Sequence, residues 1–519
     1  MKLNYWRTIC VGFAFFLICA FWQAYDNIIP KILTDKFGMA QGWSGVIMAL
    51  DNILALFMLP LFGAISDKCR SKHGKRTPFI VVGTIIAVVA FIALSFIDNA
   101  QLNVLHSGAD MTDKGVSVVY NYQGIADAEL ITHDGEKFIL SEKYSEDELI
   151  NVLERINGDD KEAAKAAQNE WDTYFVPARQ AYAAKKTADH KLILFAFMAV
   201  LLVTLVAMST FRSPAVALMP DVTMKPLRSK ANAVINLMGS FGGILVLALG
   251  IVFGTGKAQN AMMSYVLFFT VIAAIMIVAL IVFLLTVNEP KFVKEMQEES
   301  KKYGIDDSEE SAEGSRKLTK GELTSLILIL ASVALWFFGY NAVTSKYSVY
   351  AGKVLNLDYN MTLIIAQAAA IISYLPVGII SSKIGRKKAI LAGVIMLTTA
   401  FTVAAFLRAG SPAMLMNAMF ALAGIGWATI NVNSFPMVVE LAKGGTVGKY
   451  TGYYYTASMA AQVLTPILSG FLMDGFGMKI LFPYAAIFVA CAFVTMLFVR
   501  HGDNKPTAKK GLEALDVGD

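Results

Sequence analysis

Apolar stretches of about 20 residues recur along almost the whole chain, and no other feature limits its fold so strongly. A helix of that length crosses the ~30 Å hydrocarbon core of a bilayer. Because backbone groups in lipid must bond within their own segment, each stretch is predicted to be a helix. Charged residues make up 16% of the 519 residues, against about 25% in soluble domains. The sequence therefore predicts an all-α polytopic membrane protein.

We identify twelve such stretches, in two groups of six. Their predicted limits are 8–33, 43–66, 77–97, 190–219, 229–253, 261–287, 322–350, 358–381, 386–407, 411–439, 446–472 and 479–499. The first resembles a signal peptide at its start. Its apolar character continues to Ile29 without a small-residue cleavage site, so we interpret it as a retained span.

Lysine and arginine collect in the loops after spans 2, 4, 6, 8 and 10, on the side that also holds both termini. Such cations stay in the cytoplasm, so we expect both termini there, in a multi-pass protein of the plasma membrane. The four cysteines have neither zinc nor disulfide spacing. We expect no metal and no cofactor.

Two polar segments divide the chain further. The predicted parts are 1–97 with spans 1–3, 98–189 as an extracytoplasmic insertion, 190–287 with spans 4–6, 288–321 as a cytoplasmic linker, 322–500 with spans 7–12, and 501–519 as a cytoplasmic tail. In the insertion, "VSVVYNY" and "AELITHDGEKFIL" predict strands, the second with a turn at Asp134-Gly135. Ser145 and Glu148 predict a capping box. We expect a small α+β insertion with either a structural or a partner-binding role.

The two halves contain matching loops. "GAISDKCRSKHGKR" from Gly63 follows span 2, and "GIISSKIGRKK" from Gly378 follows span 8. "MPDVTMKPLRSKAN" after span 4 parallels "FPMVVELAKGGTVGKYTG" after span 10. Duplicated six-helix units are typical of secondary transporters, whose binding site lies near the midplane between the halves.

The loop from Gly63, with Gly-x-x-x-Asp-Lys and then Gly-Lys-Arg, resembles the signature of the major facilitator superfamily. "SDKCRSKHGKRTPFI", "FRSPAVALMPD" and "GWATINVNSFPMVVE" are similar to its glycoside–pentoside–hexuronide and sucrose-type branch of sugar:cation symporters. The resemblance implies a major facilitator fold of two pseudo-symmetric six-helix bundles. It also implies transport of a sugar or glycoside by alternating access, coupled to a proton or sodium ion. The insertion departs from this branch, in which that loop is short.

Two other functions stay open. One is an exporter of drugs or metabolites on the same scaffold, and the other is a receptor or scaffold that binds a partner through the insertion without moving a solute. The sequence contains no Walker loop, HExxH or GxSxG motif in a suitable context. We therefore expect a monomeric non-enzyme whose partners are a small solute, a coupling ion and the bilayer, with no nucleic acid.

A charged side chain inside a span raises the free energy of membrane insertion, so each such residue is a candidate for a functional role. Asp26 shares a helix face with Gln23 and Asn27, and it either contacts substrate or cation or caps the membrane interface. Asp51 lies among apolar residues and either serves coupling or substrate binding or pairs with a cation. Arg212 either binds solute hydroxyls or forms a fixed pair with Asp51.

Polar residues of the second half complete the predicted substrate and cation site. Amides both donate and accept, which suits sugar hydroxyls, although lone amides equally hold helices together. These candidates are Asn341, Gln367, Asn431, Asn433 and Gln462, with Tyr340 and Tyr453 beside them. Trp22, Trp336 and Trp427 either stack on a sugar ring or pack in the core. Lys346 is predicted to extend to the membrane interface.

The basic loops are predicted to form a conformational latch. Gly63 would allow close helix approach, and Asp67 would pair with a cation or a helix N-terminus until switching breaks the contact. The latch candidates are Gly63, Asp67, Arg76, Asp221, Lys383, Arg386 and Glu440. Because Ser382 stands where the first copy has Asp67, we expect the latch to be stronger in the first half.

Overall fold

In the part of the chain that the structure describes, twelve long helices form two bundles of six. The computed structural model describes residues 3–106, 113–158, 160–224, 227–257, 260–302, 318–439, 441 and 447–502. Within these residues, eleven helices are long and apolar enough to cross a membrane. The twelfth is span 8, Tyr359–Ile384, whose apolar part is Tyr359–Tyr374.

The helix bounds lie within a few residues of the predicted limits at most ends. Spans 1 to 6 are Tyr5–Lys31, Gln41–Asp67, Thr77–Leu105, Lys191–Asp221, Arg228–Phe253 and Val266–Thr286. Spans 7 to 12 are Lys320–Tyr350, Tyr359–Ile384, Arg386–Phe406, Ala413–Val439, Val447–Phe476 and Leu481–Leu497. The π-helical turns Ile32–Lys36 and Ala351–Leu355 extend spans 1 and 7, and Met478–Ile480 is a 3₁₀ turn before span 12.

Each half has a hydrophobic core of its own. One core runs from Cys10 to Val287, and the other, apart from Leu247 of span 5, runs from Leu326 to Val499. Small residues allow close helix contacts, as is usual within membranes. At the contact of spans 9 and 10, a Cβ on Gly393 would lie 2.8 Å from the carbonyl oxygen of Gly426. The separate cores are consistent with two bundles that move as units.

The insertion is a small α+β unit between spans 3 and 4. Its helices are Asp113–Asn121, Leu140–Lys143, Glu146–Ile156, Lys161–Glu170 and Val176–Asp189, with a π-helical turn at Trp171–Phe175. Strands Glu129–Ile131 and Lys137–Ile139 pair antiparallel, so this predicted hairpin is confirmed. The capping box of Ser145 and Glu148 is also confirmed.

Two predictions at the edges of the insertion are wrong. The segment "VSVVYNY" is not a strand, since most of it belongs to the helix Asp113–Asn121. Val116 and Val119 are three residues apart, share one helix face and are buried in the core of the insertion. Span 3 also continues past residue 97 to Leu105, because Asp98 is fully buried against Lys36.

Candidate functional site

Three charged side chains come together between spans 1, 2 and 4. Asp26, Asp51 and Arg212 are all half-buried. The charge of each interacts electrostatically with the charges of the other two. Within the described part of the chain, neither carboxylate forms an ion pair of 4.0 Å or less with the guanidinium. Asp51 accepts a hydrogen bond from the side chain of Asn52 over 2.8 Å. Arg212 lies 5.7 Å from the centre of the Trp22 ring.

This arrangement differs from the fixed Asp51–Arg212 pair that the sequence left open. Two carboxylates and one guanidinium carry one net negative charge when all three are ionised. One bound proton or monovalent cation would neutralise the group, and partly desolvated charges interact more strongly than charges in water.

The face of span 1 that carries Asp26 also contacts the second half. Gln23 lies on the same helix face as Asp26, three residues earlier, and it accepts a 2.7 Å hydrogen bond from Nε2 of Gln367 on span 8. Oε1 of Gln367 has no hydrogen-bond partner among the described residues. A Cβ on Gly243 of span 5 would lie 3.3 Å from Oε1 of Gln23. Spans from both halves therefore meet at this level.

Spans 7 and 10 of the second half carry the aromatic and amide candidates. The rings of Tyr340 and Trp427 stack with centres 3.6 Å apart and an interplanar angle of 1°. Both residues are half-buried, as is the neighbouring Asn341. Nδ2 of Asn341 has no partner among the described residues. Spans 7 and 10 thus contribute a stacked aromatic pair, and span 7 contributes a buried amide nitrogen without a partner among the described residues.

The remaining candidates are placed differently. Asn431 and Gln462 are half-buried on spans 10 and 11. Asn433 is buried and donates to the carbonyl oxygen of Thr429 over 2.9 Å, so its amide bonds its own helix. Trp336 is fully buried in the core of the second half and offers no open face. Tyr453 is 40% exposed on span 11.

The halves are in contact at the end that carries the insertion. Asp474 of span 11 accepts hydrogen bonds from the backbone N–H groups of Gln41 and Gly42, over 2.8 Å and 2.6 Å, at the start of span 2. Lys346 is fully buried and donates to the carbonyl oxygen of Gln41 over 2.7 Å. The prediction that Lys346 extends to the interface is wrong, because a carbonyl of the other half binds its ammonium group. The structure is closed at this end.

The predicted latch residues of the first half meet around one guanidinium. Arg76 donates through Nε to Asp221 over 2.7 Å and through a terminal nitrogen to Asp67. The sequence predicts that Asp67 pairs with a cation or with a helix N-terminus, and in the structure it pairs with the cation Arg76. A Cβ on Gly63 would lie 3.0 Å from Oγ of Ser213, so spans 2 and 4 approach closely there. One arginine thus joins the ends of spans 2, 3 and 4.

Two family models match the sequence. The model described as Major Facilitator Superfamily matches residues 187–442 and 359–516, which together are more than half of the chain. The chain belongs to the major facilitator superfamily. A second model, described as MFS/sugar transport protein, matches residues 10–102 of this facilitator.

Curated relatives match the facilitator over short segments. The putative glycoside/cation symporter YagG of Escherichia coli (strain K12) is 29% identical over 112 residues, which are 21% of this chain and 24% of that protein. The sucrose transport protein SUC4 of Arabidopsis thaliana is 36% identical over 60 residues, 12% of each chain. The chain thus spans a quarter or less of the length of these relatives.

Solved facilitator structures share the fold along nearly the whole chain. A D-xylose-proton symporter superposes with a TM-score of 0.58 at 12% identity, over 96% of this chain and 99% of that one. The xylose transporter XylE from E. coli, in an inward open conformation, gives a TM-score of 0.56 at 12% identity, over 99% of each chain. This likeness concerns the fold alone.

Glu289 is a buried residue of this facilitator that the sequence did not single out. It begins the linker helix Glu289–Lys302 and accepts hydrogen bonds at the start of span 3. The donors are the backbone N–H groups of Lys75, Arg76 and Thr77 and the hydroxyl of Thr77, over 2.6 to 3.1 Å. A carboxylate at a helix N-terminus is stabilised by the helix dipole. Its sequence signal is weak: an acid two residues beyond the end of an apolar run at Val287.

The second copy of the latch is described only in part. Lys383 is exposed at the end of span 8, and Arg386 is half-buried at the start of span 9. Glu440 lies outside the described residues. The weaker second latch therefore stays a prediction.

Proposed function

We propose that the chain is a secondary active transporter that carries a sugar or glycoside by alternating access, with symport of a proton or sodium ion. The observation that carries this proposal is the group of Asp26, Asp51 and Arg212. These charges lie inside an apolar bundle and form no direct ion pair with one another. Groups of this kind in membrane helices mark solute and ion pathways.

The surroundings of the cluster support a polyhydroxylated solute. The Gln23–Gln367 pair joins the halves at this level, and amides bind hydroxyl groups as donor and acceptor at once. The stacked rings of Tyr340 and Trp427 provide a flat apolar surface of the kind on which a sugar ring packs. Several relatives are named as a glycoside/cation symporter, a sucrose transport protein or a proton-associated sugar transporter.

The proposed switching device is the latch around Arg76. The protein would be a monomer in the plasma membrane, with both termini in the cytoplasm. The end closed in this structure would then be the outer one. Arg76 would hold the cytoplasmic ends of spans 2, 3 and 4 together while the outer contacts open and close.

Uptake into proteoliposomes tests the proposal. Purified protein would first be screened by thermal shift against mono-, di- and oligosaccharides, since a ligand at 100 times its Kd stabilises by about 2.7 kcal/mol. Radiolabelled uptake of each hit is then measured with an imposed proton gradient, with a sodium gradient and with neither. We expect uptake above the internal concentration under one of the two gradients. If no sugar binds and none accumulates under any gradient, the proposal is wrong.

A further inference from the structure

Three π-helical turns of the described chain converge on one buried group of charges at the insertion end. They are Ile32–Lys36 after span 1, Trp171–Phe175 in the insertion and Ala351–Leu355 after span 7. Such turns account for well under about 1% of residues in proteins, and they often lie at functional sites. Because spans 1 and 7 begin the two duplicated halves, their turns occupy matching positions.

Each of the three turns supplies a charged side chain to this group. Nζ of Lys353 lies 2.8 Å from Oδ1 of Asp35, and this ion pair joins the second half to the first. Asp172 and Arg179 of the insertion line the same small cavity as Asp35 and Lys353. One oxygen of Asp172 accepts a 2.9 Å hydrogen bond from Gln168, and the other has no partner among the described residues. The insertion therefore adds charges to an ion pair that closes this end.

The body of the insertion is fixed to the first half. It follows span 3 and precedes span 4, and its hydrophobic core includes Leu105 of span 3. Three hydrogen bonds reinforce this attachment: Tyr182 to the carbonyl oxygen of Leu105 at 3.0 Å, Gln101 to Thr187 at 2.9 Å, and Gln180 to the carbonyl oxygen of Thr34 at 3.1 Å. The insertion would move with the first half.

The tip of its hairpin nevertheless touches the second half. The backbone N–H of Met478, between spans 11 and 12, donates to the carbonyl oxygen of His133 over 2.7 Å. Lys479 forms an ion pair with Asp134. Gly477 has a φ of +83°, and a Cβ there would lie 2.7 Å from the carbonyl carbon of Asp134. This close approach crosses the boundary between the two halves.

We propose that the insertion is a clamp, formed by the hairpin tip and the Trp171–Phe175 turn, that holds the two halves together at this end. The inference rests on the proposed alternating-access transport, because opening this end would have to break both contacts. The clamp thereby sets the fraction of molecules open at the insertion end. An insertion that served only the first half would have no need of contacts with Met478 and Lys479.

Distances between spin labels on the two halves test the clamp directly. Ala100, near the end of span 3, and Ala413, at the start of span 10, are exposed and lie at the insertion end. Labels at Ala100→Cys and Ala413→Cys require replacement of the four native cysteines, Cys10, Cys19, Cys69 and Cys491. Double electron–electron resonance on solute-free protein in lipid nanodiscs then gives the ratio of separated to closed molecules, without any transport.

Lys479→Ala should raise this ratio about 1.5- to 5-fold, the range expected for a partly exposed ion pair. The matched control is Lys137→Ala, which removes a 2.7 Å pair with Glu129 in the same hairpin but within the insertion. That control should leave the ratio unchanged. Exchanging the charges with Asp134→Lys and Lys479→Asp together should restore the parent value.

A second pair of variants tests the close approach itself. Gly477→Ala should also separate the halves, while Gly124→Ala in the insertion, where φ is likewise positive at +65° but a Cβ would meet no atom within 4 Å, should not. The clamp is wrong if Lys479→Ala and Gly477→Ala give the same distance distribution as their controls. A shifted distribution in a protein that accumulates no solute would support the clamp and contradict the proposed transport function.

Discussion

Replacing Glu289 by alanine removes the acceptor for the start of span 3. Three backbone N–H groups, of Lys75, Arg76 and Thr77, and the Thr77 hydroxyl lose their partner at a site where Glu289 is 2% exposed. Loss of a helix cap costs about 0.5–2 kcal/mol. Each buried donor left without an acceptor costs about 1–3 kcal/mol. Because losses within one network are not additive, we expect a total of about 3–5 kcal/mol.

The free energy of unfolding, measured by SDS titration in mixed micelles, checks this value. Glu289→Gln retains one acceptor oxygen and should cost about half as much as Glu289→Ala. The matched control is Glu298→Ala on the same helix, where an exposed carboxylate lies 3.9 Å from Lys294. That change should cost only about 0.3–0.5 kcal/mol. Equal losses for Glu289→Ala and Glu298→Ala would refute the reasoning.

Three further predictions concern other parts of the chain. Arg76→Lys replaces a guanidinium that pairs with both Asp221 and Asp67, so the free energy of unfolding should fall. Lys72→Arg, at an exposed site of the same loop, should leave the free energy of unfolding unchanged. Tyr340→Leu removes the stacked ring, so the Kd of the transported sugar should rise, and the protein without sugar should lose about 0.5–1.5 kcal/mol of stability. Burial raises the pKa of Asp172 to about 7. The stability that comes from protonated Asp172 is therefore fully present below its ordinary pKa of 3.8 and is lost as the pH rises through about 7. The Tm should fall from pH 5 to pH 8 more steeply than in Asp172→Asn.

The sequence predicts the helices well because the bilayer sets their length. Runs of about 20 apolar residues have few other stable forms in lipid, and span 9, predicted at 386–407, is observed as Arg386–Phe406. Asp26, Asp51 and Arg212 stood out for the same reason, since a charge within an apolar run needs an explanation. Their placement beside one another depends on helix packing, which a single sequence does not contain.

The residues that the sequence missed have partners far along the chain. From the sequence Lys346 resembles a lysine at the membrane interface, and only the fold places the carbonyl oxygen of Gln41 beside it. Glu289 resembles a charge of the linker, and only the fold places its carboxylate at the start of span 3. Asp35 and Lys353 lie at the ends of their spans, where charges are ordinary. The contact between the halves and the residues of the insertion bury them together.

Ion-coupled accumulation by Asp51→Asn is the most direct test of the central claim, with the sugar identified by the binding screen as solute. Two quantities are compared in the same proteoliposomes. One is uphill uptake driven by the gradient, of protons or of sodium, that drives uptake by the parent protein, and the other is exchange of labelled for unlabelled sugar without a gradient. If Asp51 couples the ion to the solute, Asp51→Asn should lose uphill uptake and keep exchange. The control Thr270→Ala on span 6, whose hydroxyl donates to the carbonyl oxygen of Val266 on its own helix, should retain both. Uphill uptake at the full rate in Asp51→Asn would contradict the account.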